Sequence, residues 1–529
     1  MARSTPACDS STTSGRTRNS ELAKSAAVIE GQGTARTAYD EVPYPGHSHA
    51  ETHPNRIAAI ARLFGVAAPS VATSRILEIA CGDGSNLLPI AYSLPQAHCT
   101  GFDLATSAIE RAHARASSLQ LRNVELFAGD IASIGPIGQF DYIVAHGLYS
   151  WAPSSLRDAL LRLIHRSLAP NGVAFVSYNT FPGWHVAGMV REMLRYHTRG
   201  AGDAESMVMQ ARALLDFLRV AHNDNDPYGR LLASEAERFA RHSSAHLFHD
   251  DLADVNDPVY FEQFVSHAAR YELVHVADAD FATMTANDLP AEARAKLEQL
   301  RGDAVTFGQY LDFVRCRRFR ESLVCRAELV RASVPLSGAV RELLATSAAT
   351  AAASPVDFAE GVEAEFRWGD RASLVSGSSL AKATMVALRE QWPGALAFAP
   401  LLARIGALLG RNPSSDDAEA LQGVLLEAFG MRMVELTAEN WRCTAAVSER
   451  PRASRMVRHD AEANDVLVAL NHRRVHIEDD DARQLLTLCD GEHTVDTLLA
   501  ALAARKLGLD REVLLERLQM LAQLALFEA

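Results

Sequence analysis

Residues 75–103, RILEIACGDGSNLLPIAYSLPQAHCTGFD, hold the chain's densest set of chemically suggestive residues. An acid, Glu78, precedes the turn Cys81-Gly82-Asp83-Gly84, and a second acid, Asp103, follows. Two glycines let a ligand approach the main chain closely. An acid about 20 residues past such glycines can accept hydrogen bonds from both hydroxyls of a ribose. The chemistry suggested is nucleotide binding, with an ordinary strand–turn–helix corner as the bland alternative. A dinucleotide fingerprint requires a third glycine three residues after the second. Leu87 stands there, which disfavours a nicotinamide-linked dehydrogenase. No lysine follows the turn, so it is not a nucleoside-triphosphate loop.

These residues need elements to position them. Residues 75–80 suit a buried parallel strand and 97–102 a second, with Asp103 at its carboxyl end. Ser85 and Asn86 can cap the intervening helix, whose first turn accommodates Pro89. Ser107 and Glu110 form a capping box for the next helix. Further strands are expected at 123–127, 140–145 and 173–178. An amphipathic helix at 153–168 turns Leu156, Leu160, Leu163, Ile164 and Leu168 inward. Strands alternating with helices predict an α/β fold with a parallel, doubly wound, Rossmann-like sheet. Ligands of such sheets bind beyond the carboxyl ends of the strands. There Asp130 is placed to meet an adenine amino group with Ile131 against the ring, or simply to cap a turn. HGLYSWAP (146–153) and SYNTFPGW (177–184) end strands on the same side, aromatic-rich where a second substrate would enter.

Composition narrows the class. At 529 residues the chain should hold several domains. A net charge of −13 argues against general nucleic-acid binding, which needs clustered Lys and Arg. Seven scattered cysteines without a CxxC pair fit a reducing cytoplasm. No apolar run reaches about 18 residues, so no membrane insertion is expected. Residues 1–35, rich in Ser, Thr, Ala and Gly, read as a disordered tail. His47, His49 and His53 read as solvated loop residues, and His246, His249, Asp250 and Asp251 as a structural loop. No metal site is therefore expected.

An acid-x-x-Cys-Gly-x-Gly turn resembles the first motif of class I methyltransferases. PYPGHSHAETHPNRIAAIARLFG, EIACGDGSNLLPIA, GLYSWAP and SYNTFPGW together resemble one bacterial family, the methyltransferases carrying a methyltransferase regulatory domain. Its characterised relatives are rickettsial protein lysine methyltransferases. Residues 245–273 and 309–325 resemble that family's regulatory blocks. One departure is Ala80, where the family usually has glycine, which should narrow the cofactor turn; another is a more polar loop at 46–50. The resemblance implies S-adenosylmethionine, held by Glu78, Ala80, Cys81, Gly82, Asp83, Gly84, Asn86, Asp103, Leu104, Asp130, Ile131 and His146. It implies a cytoplasmic enzyme acting on protein lysine side chains. A small-molecule methyltransferase and a catalytically silent scaffold are the competing readings; the intact Glu78, Gly82, Gly84 and Asp103 argue against the scaffold.

Neutralising a lysine with a pKa near 10.4 at pH 7 costs about 4.6 kcal/mol. A dry aromatic channel lowers that pKa. Tyr149, Trp151, Tyr178 and Trp184 are the expected lining, where rings can hold a methylated ammonium, and Asn179 is expected to orient the amine. Plain core or lid packing is the alternative for each ring. No Cys or Glu stands out as a general base, which fits an amine acceptor.

The expected domains are a methyltransferase unit at 36–200, a helical regulatory domain at 201–335 and a linker region at 336–375. A winged-helix-like domain at 376–455 and a small helical module at 456–529 follow. The winged-helix reading rests on short helices followed by a strand-like segment after Met431. Arg315, Arg317, Arg318 and Arg320 read as a solvated helix face, or as a contact for an acidic partner or for the catalytic domain.

Overall fold

A computed structural model of the chain describes residue 42 and residues 46–222, 226–329, 331–370 and 372–529. The tail read at 1–35 lies outside the described residues. At the centre is a seven-stranded sheet of order β3-β2-β1-β4-β5-β7-β6. Its strands are β1 Arg75–Ile79, β2 His98–Asp103, β3 Val124–Ala128, β4 Phe140–Ala145, β5 Leu168–Asn179, β6 Leu273–Asp278 and β7 Phe319–Arg326. The first five are parallel, as alternation with helices requires. β7 runs antiparallel to both β5 and β6. The sheet is therefore mixed, and the methyltransferase unit does not stop at residue 200. Residues 201–335 are not purely helical either, because they supply its last two strands.

Register assigns side chains to faces. Glu78 pairs with Val144, and Val144 with Phe175. Side chains alternate along a strand, so Glu78, His146, Phe175, Ser177 and Asn179 share one face. Ser177 pairs with Glu321 and Asn179 with Phe319, which adds those two. Leu77, Ile143, Val176 and Tyr178 point the other way, into a separate apolar core with Phe264. The helix Pro54–Leu63 covers the first face with Ile57, Ile60 and Ala61 fully or nearly fully buried.

The arginine cluster is neither a solvated helix face nor a surface for a partner. Only Arg315 belongs to a helix, Ala304–Arg315; Arg320 lies on β7. Arg320 is buried and ion-paired with Asp278 of β6 at 3.0 Å and with Asp312 at 2.8 Å. Arg317 joins Asp278 at 2.8 Å. These pairs tie β6 and β7 to the helix between them. The capping box is not formed: the helix Thr106–Ser118 starts one residue before Ser107 and has no side-chain cap.

Residues 336–375 are not a linker. Leu344–Thr346 is the middle strand of a three-stranded sheet, between Leu396–Ala397 and Glu435–Thr437. Its small residues serve close packing, with Ala345 and Ala349 almost fully buried. The segment after Met431 contributes the strand Glu435–Thr437 to that sheet rather than a hairpin of its own. The hairpin of the C-terminal part is Val466–Val468 with Arg474–His476. This part docks on the methyltransferase unit. Arg115 pairs with Asp460 at 2.8 Å, and Tyr92 accepts the Arg455 N–H at 2.8 Å.

Candidate active site

The glycine turn closes on itself by backbone bonds. The Cys81 N–H donates to the Phe102 carbonyl at 3.1 Å and the Gly84 N–H to the Cys81 carbonyl at 2.9 Å. Asp103 is anchored by two backbone amides: Gly82 N–H at 2.9 Å and Ala105 N–H at 2.8 Å. Ala80, Gly82 and Gly84 all have positive φ. At Ala80 this left-handed backbone costs roughly 1–2 kcal/mol that glycine would not incur. Leu87 takes the place of a third glycine because β2 makes the room instead. A side chain on Gly101 would lie 2.6 Å from Leu87 and 2.9 Å from the Cys81 sulfur.

Glu78 is buried beneath this turn. Its Oε1 accepts from the Asn86 amide nitrogen at 2.9 Å. Its Oε2 has no hydrogen-bond partner among the described residues. Burial pushes its pKa up to about 8, with Asp103 and Asp83 adding to the rise and Asn86 opposing it. Asn86 sits at the N-cap position of the helix Leu87–Ser93 but caps nothing. Its Oδ1 instead collects the His49 N–H at 2.9 Å and His472 Nε2 at 3.0 Å, with the Thr52 hydroxyl at 3.1 Å shared with the closer His49 carbonyl at 2.7 Å. Asp83 Oδ1 accepts the Ser85 hydroxyl at 2.6 Å.

The histidine-rich loop lies on the turn. A side chain at Gly46 would collide with Asp83 and Ser85, at 2.4 and 2.6 Å. The His49 and His146 rings sit 3.7 Å apart, and Phe319 stands edge-on to His146. His53 is fully buried, accepts the Asn55 N–H and contacts Ser93 at 3.0 Å. The reading of these histidines as solvated fails: Trp441 and His472 of the C-terminal part cover His53, His49 lies on His146, and His47 stacks on His246. Burial lowers His49 to about 2, with neighbouring histidines contributing, and His146 to about 4. The imidazoles are therefore uncharged at neutral pH. Among the described residues no group of three or more His, Cys, Asp or Glu could hold a metal ion. No described helix is long and apolar enough to cross a membrane.

Comparison with known proteins agrees with this arrangement. Residues 76–172 match the family model "Methyltransferase domain". Residues 243–326 match "Predicted methyltransferase regulatory domain", and 449–508 match "PKMT, C-terminal winged helix domain". An uncharacterized protein of Rickettsia prowazekii is 36% identical over 239 residues, which is 45% of this chain and 96% of that protein. The chain belongs to the class I methyltransferases with a regulatory domain. A second uncharacterized protein of the same organism is 36% identical over 326 residues, 60% of this chain and 59% of that relative's length. The structure of PKMT2 from Rickettsia typhi, also solved in complex with AdoHcy, superposes with a TM-score of 0.82 at 26% identity. It covers 92% of this chain and 100% of that one.

The enzyme is thus an S-adenosylmethionine-dependent methyltransferase, and the site fits an amino acid joined to an adenosine. The unpartnered Glu78 Oε2 suits an ammonium. Nothing lies within 4 Å of where a Gly82 side chain would be, leaving the backbone open. Leu104 is exposed beside Asp103, and Asp130 is exposed with its Oδ1 capping Ala132 N–H at 2.9 Å. Ile131 is half-buried.

The methyltransferase does not bring all four expected acceptor residues together. Tyr178 is buried on the opposite face, stacked on Phe264 at 4.1 Å and hydrogen-bonded to Ser322 at 3.0 Å. Tyr149 packs edge-on to the same Phe264, with its hydroxyl 2.7 Å from His267. Both rings are core, because strand alternation turns Tyr178 away from Glu78. Asn179 is on the cofactor face, donating to Asn256 at 2.9 Å. Trp151 stands edge-on to Trp184 at 6.4 Å, both partly exposed. Residues the sequence did not single out are Thr52, Phe319, Glu321 and His472. Only the Pro- and His-dense loop offered a signal, for Thr52.

Proposed function

We propose that this methyltransferase transfers methyl groups from S-adenosylmethionine to lysine side chains of proteins. The observation that carries the reading is likeness to PKMT2 along nearly the whole described chain, including the C-terminal winged helix. Glu78 and the Asn86-supported turn hold the amino-acid tail, Asp103 the ribose, and Asp130, Ile131 and Leu104 the adenine end. The cofactor supplies an electrophilic methyl group when bound. The residues supply position: a nitrogen lone pair must meet that methyl in line, and such positioning is a large share of the barrier reduction.

The acceptor side is the wall of His49, His146 and Phe319, with Asn179 and the Trp151–Trp184 pair beyond it. Neutral imidazoles there do not repel an approaching ammonium. Glu321, on the same face, is pushed up to about 8 by burial and by neighbouring Glu51 and Asp280. The ionised fraction of such an acid, a minority at pH 7 and about half at pH 8, can accept the proton that the ammonium loses before transfer. The test is incubation of the full chain with methyl-labelled S-adenosylmethionine and two protein pools, one with its lysines blocked by acetylation. Label on lysine in the free pool alone supports the reading. Label confined to small molecules, or equal in both pools, sinks it.

A further inference from the structure

The hydrogen bonds around Asn86 run out of the methyltransferase unit and into the C-terminal part. Asn86 Nδ2 donates to Glu78, so its Oδ1 faces the donors His49 N–H and His472 Nε2, with Thr52 Oγ1 at 3.1 Å sharing its one proton with the closer His49 carbonyl at 2.7 Å. That orientation requires His472 to carry its proton on Nε2. His472 is 1% exposed and its Nδ1 has no partner among the described residues. It stands in the turn of the hairpin Val466–Val468/Arg474–His476, with φ at 64°. The turn is pinned on both sides. The Arg56 guanidinium donates to the Asn471 carbonyl at 3.0 Å, and Arg473 pairs with Glu435, which also holds Arg56 at 2.9 Å.

We infer that His472 is a positioning residue for methyl-donor binding, through which the C-terminal hairpin sets the donor affinity of the methyltransferase site. Its Nε2–H fixes the Asn86 amide, and the Asn86 amide fixes the Glu78 carboxylate that receives the donor's ammonium. The inference rests on the assignment of Glu78 and Asn86 to the donor. It gives the C-terminal part a role distinct from acceptor recognition: the donor pocket is completed only when the hairpin is docked. Occupancy and docking are then coupled, since whatever one gains from the other is returned.

The test is calorimetric titration of the full chain with S-adenosylhomocysteine. Three variants are compared with the wild type. His472→Gln keeps an N–H donor at similar reach. His472→Asn suits the left-handed backbone but is too short to reach Asn86. His472→Leu keeps bulk without a donor. Melting temperatures are recorded for each. The expected result is an approximately tenfold weaker affinity for Asn and Leu, wild-type affinity for Gln, and similar melting in all three. Unchanged affinity in Asn and Leu overturns the inference. So does an equal loss in all three that tracks lowered melting, which marks plain packing. A wild type that binds no S-adenosylhomocysteine overturns the donor-site assignment itself, and this inference with it.

Discussion

Arg56 and Glu435 meet at 2.9 Å with side chains only 10% and 11% exposed, although 379 residues separate them. The pair joins the helix Pro54–Leu63 of the methyltransferase unit to the strand Glu435–Thr437 of the next domain. Arg473 reaches the same carboxylate from the C-terminal hairpin. One acid therefore holds two cations from two distant segments.

Removing that acid should cost far more than a surface pair does. Glu435→Ala strands both guanidinium groups in a low-dielectric setting, and breaking a buried pair costs about 3–5 kcal/mol. Chemical denaturation should show a loss of that size. A loss below about 1 kcal/mol, typical of exposed pairs, would mean that water reaches the cluster.

Asp103→Ala should weaken S-adenosylhomocysteine binding by at least about 100-fold. On the proposed reading it deletes the acceptor for two ribose hydroxyls, each worth about 1.5–3 kcal/mol when the partner is charged. It also frees the Gly82 and Ala105 amides that fix the turn. Titration calorimetry gives the answer, and an unchanged affinity would remove Asp103 from the site.

Glu78 makes donor binding and stability depend on pH in opposite senses. Burial raises it from its ordinary 4.5 to about 8. Between those values the folded chain holds one proton more than the unfolded chain. The group's contribution to stability is complete below 4.5 and is lost as pH rises through 8. An ammonium beside Oε2 favours the ionised form, so binding at pH 7 should release a proton. Calorimetry of S-adenosylhomocysteine binding in buffers of different ionisation enthalpy measures this directly, and proton uptake would refute it.

Tyr178→Phe should leave donor affinity and turnover within about twofold of the wild type. Its hydroxyl bonds Ser322 in the core, and one such bond is worth about 1 kcal/mol of stability. A selective fall in turnover with stability intact would return Tyr178 to the acceptor channel that the sequence suggested.

The contrast between Tyr178 and Asn179 shows what sequence can convey. Both stand in SYNTFPGW at the end of β5, where composition announces a site. Which one faces the donor depends on the parity of the strand relative to Glu78, and parity is fixed by pairing with β4 and β1. The first five strands were legible because each carries its own apolar run and its own turn. β6 and β7 were not, since their pairing is antiparallel and crosses long stretches of helix. The charges at 315–320 looked solvated because Asp278, which neutralises Arg317 and Arg320, lies far back in the chain. His472 had no local mark at all: nothing in ALNHRR reveals that Asn86 waits opposite.

Insertion of β7 between β5 and β6 bears on how the protein is made. A ribosome releases β5 well before the strand that covers its far edge, so the edge of residues 174–179 that faces β7 waits unpaired until residue 326 has emerged. Exposed apolar edges of this kind invite pairing with other chains. The donor pocket waits longer still, for the hairpin near residue 472. On the inference above, a nascent chain carries its glycine turn long before it can hold donor tightly, because the hairpin residue that completes the pocket lies 386 residues beyond Asn86.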